Sequence, residues 1–180
     1  VADVGFDPTR LRHVRFSGQI SLGSAVDLRD ATICDCMVGD GVRIDGVRSA
    51  LAGYEIGRGA RLIDIGTMTY RAGTTAGNGV RVAAVNENGG RAVPLFDGLT
   101  AQTAYLMVFH RHRTETLGRT FDRIDAYAAT IAAAPRGYVG EGATVEGCGR
   151  IVDVRIGDRA TVCGATLLQN GTILSQPDAP

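Results

Sequence analysis

The sequence has no tryptophan and no lysine, and only 6% of its residues are aromatic. A core built on large rings is therefore excluded. Its 19 basic residues are balanced by 19 acidic ones, so the formal net charge is zero. That balance gives no electrostatic case for nucleic acid or a membrane surface as partner. No apolar run approaches the roughly 20 residues that a membrane span needs, and no signal-peptide pattern is present. Histidine is scarce, at three residues: His13, His110 and His112. There is no Cys-x-x-Cys pair. The four cysteines, Cys34, Cys36, Cys148 and Cys163, are expected as free thiols in a cytoplasmic setting. Cys34-Asp35-Cys36 is open to reading as half of a metal site, but no histidine lies near it in sequence. The pair reads as small side chains instead, with no metal expected.

What the chain has in abundance is glycine, 25 residues in 180, placed with a period. Val38-Gly39-Asp40-Gly41-Val42-Arg43 and Ile56-Gly57-Arg58-Gly59-Ala60-Arg61 follow one formula: aliphatic, small or acidic, any, any, small, any. Val139-Gly140-Glu141-Gly142-Ala143-Thr144 and Ile156-Gly157-Asp158-Arg159-Ala160-Thr161 repeat it. Steps of six from Ile20 reach Val26, Thr32, Val38, Ile44, Ala50, Ile56, Leu62, Met68, Thr74 and Val80. None of these is charged in a chain that is 21% charged. Neither a helix nor a two-faced strand produces that column, whereas a solenoid of short strands does. At the fifth hexad position Ser24, Cys36, Val42, Ala60, Ala72 and Ala84 suit a narrow interior, and Asp30, Arg48 and Tyr54 depart from it. The large side chains of Tyr54, Met68 and Tyr70 are expected to point outward at corners.

The hexads resemble the left-handed parallel β-helix of the hexapeptide-repeat superfamily, in which three hexads make one triangular coil. The resemblance implies an all-β solenoid with an α insertion, in one domain over residues 1–180. Coils are expected at about 14–85 and 138–175, with residues 1–13 as an irregular lead-in. The column resumes at Val139, Val145 and Ile151, then slips by one residue to Ile156, Val162, Leu168 and Leu174. The ends, Val1 and Gln176-Pro177-Asp178-Ala179-Pro180, read as those of a piece of a longer protein.

Between the blocks, about 86–136, the β pattern stops. Asn86-Glu87-Asn88-Gly89-Gly90-Arg91 supplies turn residues. It reads as a hairpin or excursion from the solenoid. The functional alternative is an anion or substrate loop, with a nest of amides near Gly89-Gly90 and Arg91 as counter-charge. Asp97 or Thr100 can cap a helix to about Arg113. Gly118 is expected to break the chain, and Thr120 to cap a second helix bearing Phe121, Ile124, Ala128 and Ile131. Together these make an antiparallel helical hairpin. In a helix, His110 and His112 would point about 200° apart and could not share a metal. His110-Arg111-His112-Arg113 reads as a helix C-terminus with cations set against the dipole. The alternative is that one histidine faces a groove as a base.

Taken together, the Arg-rich hexads, Asn86 to Asp97, Thr103-Ala104-Tyr105-Leu106 with the His-Arg-His-Arg run, Ile124-Asp125-Ala126-Tyr127-Ala128 and the second block resemble the N-terminal part of a family of long bacterial hexapeptide-repeat proteins of unknown function. Two readings follow. One is a structural or assembly scaffold within a larger transferase-like or sugar-nucleotide-related protein, with self-association, as a trimer by superfamily analogy. The other is an acyltransferase or nucleotidyltransferase acting on an acyl-coenzyme A or a nucleotide sugar, with no bound cofactor expected. Its site would lie beside the insertion, with Glu87, His110 or His112 as base and Asn86, Gly89, Gly90 and Arg91 as binding residues.

Overall fold

A computed structural model describes residues 7–83 and 91–175. The chain divides into two compact units, Val1–Ala72 with Pro135–Pro180, and Gly73–Ala134. The first is a parallel β-structure of 13 strands, solenoid-like in its pairing. Its strands stack in three ladders. One runs Leu28, Ile44, Leu62, Val145, Val162. The second runs Leu22, Val38, Ile56, Val139, Ile156, Ile173. The third runs Phe16, Ile33, Leu51, Met68, Ile151, Leu168. The middle members of every ladder are fully buried. Each such side chain contributes about 1.5–3 kcal/mol, so the aliphatic columns are the core.

The inward column departs from the strict six-residue step at several places. Ile33 and Leu51 are 0% exposed, whereas Thr32 and Ala50 are only half-buried. The cause is unequal coil length: Leu28 pairs with Ile44, a step of 16, and Ile33 with Leu51, a step of 18, across a bulge after Ala31. At the far end Ile173 pairs with Ile156, and Leu174 is 56% exposed. The slip between Ile151 and Ile156 is a five-residue corner, and the same step separates Ile33 from Val38 and Leu51 from Ile56.

The corners are made by residues in the left-handed backbone region, stacked in register. His13, Asp30, Gly46, Asp64, Gly147 and Gly164 form one column, with φ between 46° and 74°. Ala25, Gly41, Gly59, Gly142 and Arg159 form another, and Gly18, Asp35, Gly53, Asp153 and Asn170 the third. Glycine, and next to it aspartate and asparagine, tolerate this conformation best. That explains Asp30, which turns a corner and does not fill the interior. Glycine serves a second purpose at Gly140, where an added Cβ would lie 2.2 Å from the Asp158 amide nitrogen of the next coil.

Tyr54, Met68 and Tyr70 point inward, contrary to the expectation that they face outward. Tyr54 and Met68 are fully buried and Tyr70 nearly so. The two tyrosine rings meet edge to face at 5.6 Å, and the Tyr54 hydroxyl donates to the Val154 carbonyl at 2.9 Å. Room for them comes from Gly137, where a Cβ would lie 2.5 Å from the Tyr70 ring. The small-residue rule treats each coil alone, whereas here a large residue in one coil is matched by none in the next.

Carboxylates clasp successive coils. Asp35 accepts from the Gln19 amide at 2.8 Å, Asp40 from the Ser24 amide at 2.6 Å, and Asp158 from the Glu141 amide at 2.9 Å. Asp153, 1% exposed, accepts from the Arg71 amide and its Nε, each at 2.9 Å. A buried carboxylate left unpaired is costly, so this bond fixes the chain where it leaves the coils.

In the second unit Arg81–Val82 and Val93–Pro94 pair antiparallel. Buried Asn78 donates to the Thr75 carbonyl and accepts from the Asp97 amide. Helix α1 is Ala101–Phe109, capped by the Thr100 hydroxyl on the Thr103 amide. Helix α2 is Thr114–Ala132, so the expected break at Gly118 and cap at Thr120 are both incorrect. The break falls at 110–113. An interior glycine costs only about 1 kcal/mol relative to alanine, and burial of Ile124, Ala128 and Ile131 on one face of α2 outweighs it. Thr120 instead donates to the Thr116 carbonyl, one turn back.

Candidate functional site

The polar residues singled out from the sequence fall in the helical unit. Asn86, Glu87, Gly89 and Gly90 lie outside the described residues. Arg91, Arg111 and Thr114 line a cleft of about 230 Å³, whose walls include Met107, Leu117 and Phe121. The cleft lies between the segment entering at Arg91 and the junction of the two helices. Its geometry is held from outside. Arg81 lies 4.7 Å from the centre of the Phe121 ring and binds Asp125 at 2.8 Å. The Tyr127 hydroxyl donates to Asp97 at 2.8 Å, tying α2 to the segment before α1.

Electrostatically the cleft is one-sided. Its lining includes two arginines and, among the described residues, no carboxylate. Among the described residues no carboxylate pairs with Arg91 or Arg111, whereas Arg81 and Arg119 of the same unit are engaged by Asp125 and Glu115. The start of α2 opens here too, with Arg113 at the N-cap position and no side chain capping it.

His110 and His112 do not line the cleft. His110 ends α1, its ring edge-on to Phe109 at 5.1 Å and 5.8 Å from the ring of His112. Its Nδ1 is buried with no hydrogen-bond partner among the described residues. His13 sits apart, on an exposed corner of the coils, 3.0 Å from Asp30. The site therefore gathers Arg91 and Arg111, and leaves the histidines at its edge. Arg111 and Thr114 were missed as lining residues. Their signal was the helix break itself, which turns the His-Arg-His-Arg run from a helix face into a turn.

No other described cluster competes. No three of His, Cys, Asp and Glu gather in metal-holding geometry among the described residues. Cys36 is buried, its thiol facing the Cys34 carbonyl at 3.1 Å, and burial pushes its pKa up. A raised pKa makes it a poor nucleophile and ligand. No described helix is long and apolar enough to cross a membrane.

No curated protein and no solved structure matches this chain. One family does, over residues 1–180, and the chain accordingly belongs to the Domain of unknown function (DUF4954) family.

Proposed function

We propose that this chain is a structural and assembly scaffold, a left-handed parallel β-helix of the hexapeptide-repeat type whose sequence is interrupted by a helical unit. It would serve within a larger transferase-like or sugar-nucleotide-related protein. The observation that carries this reading is continuity of register across the insertion. Tyr54 and Ile56 pair directly with Gly137 and Val139, and Leu62 with Val145. The coils give up no pairing to accommodate 62 residues between Ala72 and Pro135. Their corner carboxylates Asp35, Asp40, Asp153 and Asp158 are engaged in holding coil to coil. The single histidine of the coils, His13, is bonded to Asp30 on the exposed surface. A coil so occupied offers flat faces for packing, including packing against further copies, and holds its histidine at an exposed corner.

The second reading, an acyl- or nucleotidyltransferase, is favoured by one observation: the two guanidinium groups in the cleft near His110 and His112. Incubation with acetyl-coenzyme A or a uridine-diphosphate sugar and a panel of sugar-phosphate acceptors, followed by mass spectrometry, separates the two. The scaffold reading expects no turnover, and an unchanged assembly mass by light scattering in His110→Ala and His112→Ala. Turnover that disappears in either variant replaces the scaffold by the enzyme.

A further inference from the structure

We propose that the cleft of the helical unit is a binding site for a small organic anion, a phosphate monoester or carboxylate carried on a compact apolar body. The proposal goes beyond the scaffold reading and does not need turnover.

Three features of the cleft point the same way. First, size: small-molecule sites commonly enclose about 300–1,000 Å³. At about 230 Å³ this cleft holds a small molecule and leaves most of a coenzyme A or a nucleotide sugar outside. Second, charge: Arg91 and Arg111 bring two permanent positive charges to a lining that has no carboxylate among the described residues. Guanidinium groups pair with carboxylate and phosphate in planar, two-pronged geometry and do not lose their charge at any working pH. Thr114, at the start of the 19-residue α2, is part of the same lining, and a helix start favours negative charge near it. Third, walls: Met107, Leu117 and Phe121 are apolar. An inorganic ion would leave that surface facing water, whereas an apolar body on the anion covers it. Gly118 contributes no side chain, and an added Cβ there would meet nothing within 4 Å. The cleft is thus open at the middle of its helical wall.

The probe is phenyl phosphate, titrated calorimetrically into the protein, with inorganic phosphate and benzyl alcohol as the two half-ligands. The site predicts saturable binding of phenyl phosphate, tighter than either half-ligand and weakened by added salt. Arg91→Ala and Arg111→Ala are each expected to weaken it about tenfold or more, the scale of one charge-assisted hydrogen bond. Arg119→Ala, at an exposed arginine paired with Glu115, leaves it unchanged. Gly118→Leu fills the cleft with a good helix former, so it abolishes binding without unfolding α2, which circular dichroism verifies. Absence of saturable binding overturns the proposal. So does benzyl alcohol binding as tightly as phenyl phosphate, or full affinity in both arginine variants. Inorganic phosphate binding as tightly as phenyl phosphate overturns the apolar half of the assignment.

Discussion

Asp40 stands at an exposed corner, yet its carboxyl is held below the usual carboxylate range. The chief cause is the Ser24 amide, followed by the Ser24 hydroxyl at 2.8 Å. A group whose folded pKa is depressed contributes stability above its unfolded value, about 3.9 for aspartate, and loses it as pH falls through the folded value. Asp40→Asn should therefore melt below the parent at pH 7, and the gap should close as pH falls below about 4. Thermal melts across that range measure it, and a gap that persists at low pH would remove the clasp from the account. The clasps themselves were hidden in the sequence. Each joins residues 16 or more positions apart, and an aspartate after a hexad looks the same whether it turns a corner, meets solvent or grips the coil before it. Tyr54 was hidden for a related reason, since its place inside depends on Gly137, 83 residues away.

At the scale of elements, what a period can reveal is set by how regular the period is. The column was legible at Val38, Ile44, Ile56, Leu62 and Met68, which stand at multiples of six from one another. It failed at Thr32 and Ala50 because neighbouring coils step by 16 and 18 and the average conceals both. Leu51→Ala should cost about 2–5 kcal/mol as a cavity in the core, whereas Ala50→Ser should cost under about 0.5 kcal/mol at a half-buried site. Chemical denaturation measures both, and equal costs would contradict the inward assignment of Leu51. The helices were legible in type but not in boundary. Gly118 was weighed as punctuation, and the packed stripe of Ile124, Ala128 and Ile131 carries α2 through it. Gly118→Ala is expected to raise stability by about 0.5–1 kcal/mol, because the helix gains propensity and the new methyl meets nothing. Destabilisation would mean that the helix does break there. The cleft was half legible. Arg91 was recognisable as a counter-charge, but Arg111 looked like one cation among four in a run until the position of the turn was known.

For the whole molecule, the account is that a self-sufficient stack of coils is interrupted in sequence by a separate helical unit. The sequence disclosed the two hexad blocks and the foreign segment between them. It could not disclose that the blocks join in register, because pairing between residues so far apart leaves no local pattern. The ends of the insertion meet adjacent points of one coil: Tyr70 donates to the Ala52 carbonyl at 3.0 Å and Gly137 to the Gly53 carbonyl at 2.9 Å. A bridge of about six Gly and Ser residues spans such a gap easily. The most direct measurement is therefore the melting curve of a variant in which that bridge replaces residues 73–134, followed by far-ultraviolet circular dichroism. The account predicts a β spectrum stripped of its helical signal and a single cooperative transition. A chain with no cooperative transition would show that the coils depend on the insert, and would contradict the account.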